Sequence, residues 1–353
     1  MLADQIIEQL YPFLAQATTE EVRVLGIEVV GIDNPIMDCL LSINKIPQSN
    51  GFERLLDYSW QGGGKVSTAL VTLGRLGVRT GIIGVLGDDP FGRFCIRDFK
   101  NHMVDTSRLI IEKGGSTTLS IVLVEKEKKT RSFIIKSGPS RALTVDDLDE
   151  QYISSARYLH LSNLTPVTVE AAKMARKASS IVVIDADHYD EYVGENLKYI
   201  DVLIGSEFFY KSAFGDNPDY RCNLRELQKK GPRIVVITLG DKGCVVLDGG
   251  DYFAVPAFNE LEVVDTCGAG DVFHGAFIFG MLKGWDSQKT ARFACAVSSI
   301  KCTRPGGRAG IPDYHMAERF LKDGYIDYAS LDKRVAYYKT ALFENNTLEP
   351  DLL

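Results

Sequence analysis

The stretch VVDTCGAGDVFHGAF, residues 263–277, sets two carboxylates and two glycines into seven residues, just where an apolar helix begins. Asp265 opens the run, Asp271 closes it, and Gly268 and Gly270 lie between. A glycine-rich turn entering a helix leaves several backbone N–H groups unpartnered and pointing one way, which favours an anion. An acid beside an anion site is a conflict of charge. Chemistry resolves the conflict if that carboxylate takes a proton from a hydroxyl attacking a bound phosphate.

Ahead of this turn the chain alternates. Residues 22–33, 80–87, 158–163, 180–186, 201–206 and 233–240 are short, β-branched runs that read as strands. Segments 66–77, 92–103, 167–178, 223–230, 270–283 and 287–303 read as helices. Strands alternating with helices predict an α/β, doubly wound, mainly parallel sheet flanked by helices. Hairpin-like strands at 243–256 precede the turn. A strand at 39–47 and a hairpin at 117–136, closed by the charged run EKEKK, fall outside the alternation. They predict a small β-sheet lid, from about 33–60 and 110–137, over the carboxyl ends of the main strands. The expected organisation is an N-terminal helical extension at 1–21, with a helix at 2–11, a main domain at 22–312, and a helical C-terminal extension at 313–353 without evident chemistry.

Composition narrows the function classes. The 353 residues are 45% hydrophobic with a formal net charge of −7, which suits a globular core and excludes a general footprint for nucleic acid or anionic membrane. The seven cysteines are scattered without C-x-x-C or metal spacing, as expected of reduced thiols in a cytoplasmic protein. The first residues carry no basic segment of a secretory signal, and no apolar run approaches the ~20 residues of a bilayer span. G-x-x-x-x-G-K-[ST], a Rossmann G-x-G-x-x-G after the first strand, and H-E-x-x-H are all missing. His274, one helical turn past Asp271, reads as structural.

DTCGAGDVFHGAF resembles the C-terminal signature D-T-x-G-A-G-D of the ribokinase/PfkB carbohydrate kinases. GGGKVSTALVTLGRLG, 62–77, is similar to the family's N-terminal signature, with Gly63, Gly64, Leu76 and Gly77 in register. GDDPFG at 87–92, ITLGDKG at 237–243 and KCTRPGGRAGIP at 301–312 follow in the family's order, so the resemblance covers about residues 22–312.

The resemblance implies a ribokinase-like kinase that phosphorylates a hydroxyl of a small sugar or polyol, using ATP and Mg²⁺. It implies Asp271 as base, with the N–H groups of Gly268, Ala269 and Gly270 as an anion hole for the phosphoryl oxygens. Asp265 either shapes the turn or lies beside a monovalent cation such as K⁺. Asp38, Gly63, Gly64, Lys65 and Thr68 are expected on the substrate, Thr68 standing where the family usually has Asn. Thr238, Gly240 and Gly243, with Gly268 and Gly270, are expected on the nucleotide, the adenine lying near the 299–310 loop. Ser206 replaces the Asn of the family's N-x-x-E, so either Glu207 substitutes for the Glu or Mg²⁺ is held chiefly by phosphate and water. A nucleoside kinase of the same family is the alternative, since DNPIMD resembles the adenosine-kinase start. A non-catalytic sugar sensor on the same fold is another. A homodimer through the lid is expected by analogy.

Overall fold

The computed structural model describes residues 26–128, 130–139 and 141–343. The helix expected at 2–11 lies outside the described residues. Among them, thirteen strands form two sheets. In chain order the strands are β1 (Val29–Ile32), β2 (Ile36–Ile43), β3 (Leu55–Gly63), β4 (Thr80–Gly87), β5 (Val104–Glu112), β6 (Thr118–Glu125) and β7 (Thr130–Lys136). They continue with β8 (Tyr158–Leu161), β9 (Ile181–Ala186), β10 (Val202–Ser206), β11 (Ile234–Thr238), β12 (Cys244–Asp248) and β13 (Asp251–Val255).

The large sheet has the order β13-β12-β11-β10-β9-β8-β1-β4-β5. From β11 to β5 every neighbour is parallel, and β12 and β13 close one edge antiparallel. Its strands are apolar on both faces because helices cover both. Val29, Ile82, Val183 and Val236 belong to one core, whereas their chain neighbours Val30, Ile83, Ile184 and Val235 belong to the other. That split is the two-residue period of a strand sorting alternate side chains to opposite faces. α1 (Lys65–Arg75), α8 (Ala269–Leu282) and α9 (Ser287–Lys301) pack on the first face. α4 (Pro166–Lys177), α6 (Glu207–Phe214) and α7 (Tyr220–Gln228) pack on the second. The remaining helices are α2 (Pro90–Asn101), α3 (Glu150–Ser155), α5 (Glu191–Asn196), α10 (Tyr314–Asp323) and α11 (Tyr328–Thr340).

The small sheet is the lid, in the order β3-β2-β6-β7, with a parallel centre and antiparallel outer pairs. The strand expected at 39–47 begins earlier, at Ile36, and ends at Ile43. β3 lies beside it and runs directly into Gly64 and α1, so the lid is anchored to the body by its own chain. Residues 110–112, expected in the lid, belong to β5 of the large sheet. α11 packs against β3, with Lys339 paired with Asp57 at 2.8 Å, and Phe343, just past the helix, meets Trp60 edge to face at 6.1 Å.

Candidate active site

Parallel strands all end on the same side, so their carboxyl ends gather residues distant in sequence. Asp33 follows β1, and its Oδ2 accepts hydrogen bonds from the N–H and the hydroxyl of Ser67, both at 3.0 Å. It thereby caps α1, whose own N-cap, Gly64, has no side chain to do so. Lys65 begins α1 and donates to Ser162 O at 2.6 Å and to the Asp187 carboxylate; the Asp185 carboxylate is 3.7 Å away. One ammonium therefore ties the ends of β8 and β9 to the start of α1. Burial raises the carboxyl groups of Asp33 and Asp185 to about 6, although the Ser67 hydrogen bonds oppose this for Asp33 and the Lys65 charge for Asp185. His274 lies 3.6 Å from Asp185 and stacks on His160. Burial holds both rings down at about 3, so they are neutral packing groups.

The turn at 265–271 reaches this cluster from the other side. Asp265 is buried and fully engaged. Its Oδ1 accepts from Cys267 N–H at 2.9 Å and its Oδ2 from Gly306 N–H at 2.8 Å. Arg131, on the lid strand β7, lies 3.5 Å from Oδ1. Burial pushes the Cys267 thiol up to about 12, which removes it as a nucleophile. Gly268 is the N-cap of α8 and adopts φ +72°, a left-handed conformation that glycine adopts at little cost. This tightens the turn so that Ala269 N–H reaches back to Thr266 O at 3.2 Å. Ala269 therefore leaves the expected set of open donors. Among the described residues no protein acceptor meets the N–H groups of Gly268, Gly270 and Asp271, so the third open donor is Asp271's own amide.

Asp271 occupies the third position of α8 and is half-buried. Its carboxylate accepts no hydrogen bond from a described residue. Burial pushes its pKa well above the ordinary range, the negative charge of Asp185 pushes the same way, and Lys65 pulls back.

On the lid side, Asp38 of β2 faces Gly63. A Cβ at residue 63 would lie 2.2 Å from Asp38 Oδ2, so only glycine allows this approach. Burial raises the Asp38 carboxyl to about 6, against the pull of Arg308 and of a hydrogen bond from Ser120. Gly64 sits at φ +93° beside Asp33. Thr68 is 1% exposed, beneath the Gly307 turn.

Behind Asp38 lies a network that ties the expected 301–312 loop to residues with no sequence signal of their own. Arg308 is 1% exposed; its guanidinium pairs with Asp98 and donates to Gly63 O at 3.1 Å. Asp98 also accepts from Tyr338 of α11 at 2.8 Å. Gln61 Oε1 accepts the N–H groups of Arg308 and Ala309 at 2.8 and 3.1 Å. Arg334, also on α11, donates to Ile311 O at 2.6 Å and Ala309 O at 3.1 Å. The C-terminal extension expected to lack chemistry therefore braces the loop at 304–311 and, through Asp98 and Arg308, the Gly63 backbone.

On the other flank of the turn, a cavity of about 220 Å³ is lined by Thr238, Gly240, Gly243, Phe258, Gly270 and Ser299. The Thr238 hydroxyl donates to Gly205 O at 3.3 Å, and Gly240 and Gly243 take φ of +60° and +88°. Ser206 caps α6, accepting Phe209 N–H at 3.3 Å, and Glu207 pairs with Lys211 at 3.5 Å. No described His, Cys, Asp or Glu side chains form a cluster of three fit to hold a metal ion. No described helix is long and apolar enough to cross a membrane.

Asp185, Asp187, Asp98 and Tyr338 lie outside every motif read in the sequence, and Asp33 in DNPIMD and Arg308 in 301–312 lie inside one with no role assigned to them, because their partners are brought to them only by the fold.

The likeness to known proteins agrees with this geometry. An ATP-dependent ribose-1-phosphate kinase of Halopiger xanaduensis is 27% identical over 291 residues, covering 82% of this chain and 96% of that protein. A 5-dehydro-2-deoxygluconokinase of Geobacillus kaustophilus is 28% identical over 294 residues, covering 76% and 87%. The ribokinase of Arabidopsis thaliana, solved with ribose and ATP, superimposes with a TM-score of 0.73 at 23% identity, covering 84% of this chain and 99% of that one. The fold is thus ribokinase-like. The sequence model of the pfkB family of carbohydrate kinases matches residues 27–314. A chain matched over that span belongs to the pfkB carbohydrate kinases.

Proposed function

We propose that this sugar kinase transfers the γ-phosphoryl group of ATP to a hydroxyl of a small sugar or polyol, with Asp271 as the base. The sugar lies between Asp38 and Asp271, where carboxylate oxygens accept its O–H groups. The Asp271 carboxylate takes the proton of one hydroxyl as that oxygen bonds to the γ-phosphorus. The bond from the γ-phosphorus to the β,γ-bridging oxygen breaks, and ADP leaves. The open N–H groups of Gly268, Gly270 and Asp271 meet charge on the transferring oxygens, where a preorganised donor contributes most. Thr238, Gly240 and Gly243 line the nucleotide's cavity. Mg²⁺, when bound with ATP, neutralises phosphate charge. Asp187 and Glu207, just past the ends of β9 and β10, are hard oxygen donors suited to its hydration shell.

The observation that carries this reading is an unbonded, charge-crowded carboxylate set beside unbonded main-chain donors. The test is a phosphorylation assay with a sugar panel and a nucleoside panel, run on the wild type and Asp271→Asn. Sugar-dependent ADP formation that the substitution abolishes supports the reading. Preference for nucleosides would make the protein a nucleoside kinase. Sugar binding without ADP formation would make it a sensor.

The free thiols of the seven cysteines suit a reducing cytoplasm. α11 covers one edge of the lid. The other edge, β7, presents Phe133, Ile134 and Ile135 at 55%, 56% and 65% exposure, a surface for the lid of a second copy. Sedimentation of the wild type against Ile134→Lys reads that contact.

A further inference from the structure

Lys301 is the last residue of α9 and is 0% exposed. A buried ammonium is costly unless its donors are satisfied, and a carboxylate usually does that. Here no described carboxylate lies within salt-bridge distance. The ammonium donates instead to two main-chain oxygens of the signature turn, Asp265 O at 3.0 Å and Cys267 O. Carbonyl oxygens gathered around a desolvated positive charge are the way a protein holds an alkali cation. In this chain a side chain supplies the charge.

The position has consequences. The two carbonyls flank Thr266, and the open N–H groups of Gly268, Gly270 and Asp271 follow directly. Around them, Val264 and Asp265 donate to Cys302 O at 2.8 and 3.1 Å, and Ser298 donates to Ala269 O at 2.8 Å. The end of α9 is thereby sewn to the start of α8. The peptide whose Cys267 carbonyl is drawn to Lys301 carries the open N–H of Gly268, and the peptide whose Ala269 carbonyl is held by Ser298 carries the open N–H of Gly270.

We propose that the Lys301 ammonium is a built-in monovalent cation of the active-site turn, a positioning group that makes the anion hole independent of added K⁺. The proposal rests on the phosphotransfer reading above. Its test has arms that do not.

Protein dialysed into tetramethylammonium chloride is assayed with and without KCl for phosphotransfer, ATP affinity by calorimetry, and melting temperature. The wild type should change by less than about 2-fold in rate and affinity, below the usual scale of allosteric coupling. Its melting point should not depend on K⁺ beyond ionic-strength controls. Lys301→Met and Lys301→Gln should each bind ATP more weakly, by about 10-fold, with K⁺ or NH₄⁺ restoring at least part of the loss and raising the melting point. Wild-type activation by K⁺ of about 5-fold or more overturns the proposal, and so do variants that match the wild type in ATP affinity. The wild-type titration decides even if both variants fail to fold. If no substrate is phosphorylated, the functional reading fails, and the affinity and melting arms still judge Lys301.

Discussion

The turn that opens α8 begins and ends on an aspartate, and the two ends have opposite surroundings. Asp265 has each carboxylate oxygen on a backbone N–H, an arginine alongside and its carbonyl on a buried ammonium. Asp271, six residues on, is crowded by like charge, and its carboxylate is bonded to no described residue. A satisfied carboxylate is fixed and inert, so its contribution is shape. A carboxylate held short of partners keeps its lone pairs and basicity for something that arrives. Sequence spacing alone does not assign the roles, because it treats the two acids alike.

Substitutions at the two ends should therefore fail in different ways. Asp271→Asn should lower kcat by about 10²–10⁴-fold, the range of general-base removal, while the protein stays folded. It should also melt higher, because a charge held in an unfavourable place has been removed. A folded variant retaining a tenth of wild-type kcat would remove Asp271 from the chemistry. Asp265→Ala should instead be read in stability. It leaves two backbone donors without acceptors, at roughly 1–3 kcal/mol each. Denaturant titration should show a loss of several kcal/mol by that arithmetic, with activity falling as a consequence. Unchanged stability would mean that the turn does not depend on its first acid.

The part of the molecule legible in sequence is the part set by local pattern. β4 is read residue for residue, because TGIIGVLG is apolar throughout and punctuated by glycine. The signature turn is read because glycine and acid stand a few residues apart. β5 and β3 were missed for one reason. VDTSRLIIE and LLDYSWQGG are half-buried edge strands whose apolar residues follow neither clean period. The site was legible only where it is contiguous. Asp33, Asp185 and Asp271 become neighbours through parallel crossovers, which bring strand ends together across long separations and leave no trace in local spacing. Lys301 opens the stretch 301–312 that resembles the family, and nothing in its local pattern marks its ammonium as buried.

Asp185 tests whether the crowding around Asp271 has the sign assigned to it. At neutral pH and above, Asp185 is mostly ionised, and its charge opposes ionisation of Asp271. Asp185→Asn should move the acidic limb of kcat/KM to lower pH, by up to about one unit. Stability gives a second readout. The Asp185 carboxyl sits at about 6 in the folded chain against an ordinary 3.8, so between those values the native state binds more protons than the unfolded one. Wild-type stability must then fall as pH rises through that window and stay lower above it. The variant lacks this contribution. It should be more stable than the wild type at pH 7, by about 1–3 kcal/mol, with the gain shrinking towards pH 4. A limb that moves upward, or a gain that grows on acidification, would mean that Asp185 supports the base rather than opposing it.

The smallest effect is expected where the lid meets the structural end of the turn. Arg131 is 31% exposed and lies 3.5 Å from an oxygen that already accepts Cys267 N–H, so the pair is long and partly screened. Such pairs contribute roughly 0.2–1 kcal/mol. Fold stability should barely register Arg131→Ala. The contact nevertheless joins β7, in a sheet that carries Asp38, to a turn that carries Asp271, so in the proposed reading its energy bears on closure of the lid over the sugar. The expected result is a sugar KM raised about 2- to 5-fold with kcat nearly unchanged, the pattern of a lost ground-state contribution. Added salt should raise the wild-type KM towards that of the variant and leave the variant's almost unmoved, because screening acts only on a pair that is present. Equal salt dependence in both proteins would place lid closure elsewhere, on the Gln61 and Arg308 bonds behind Asp38. Asp265 would then serve the body of the protein alone.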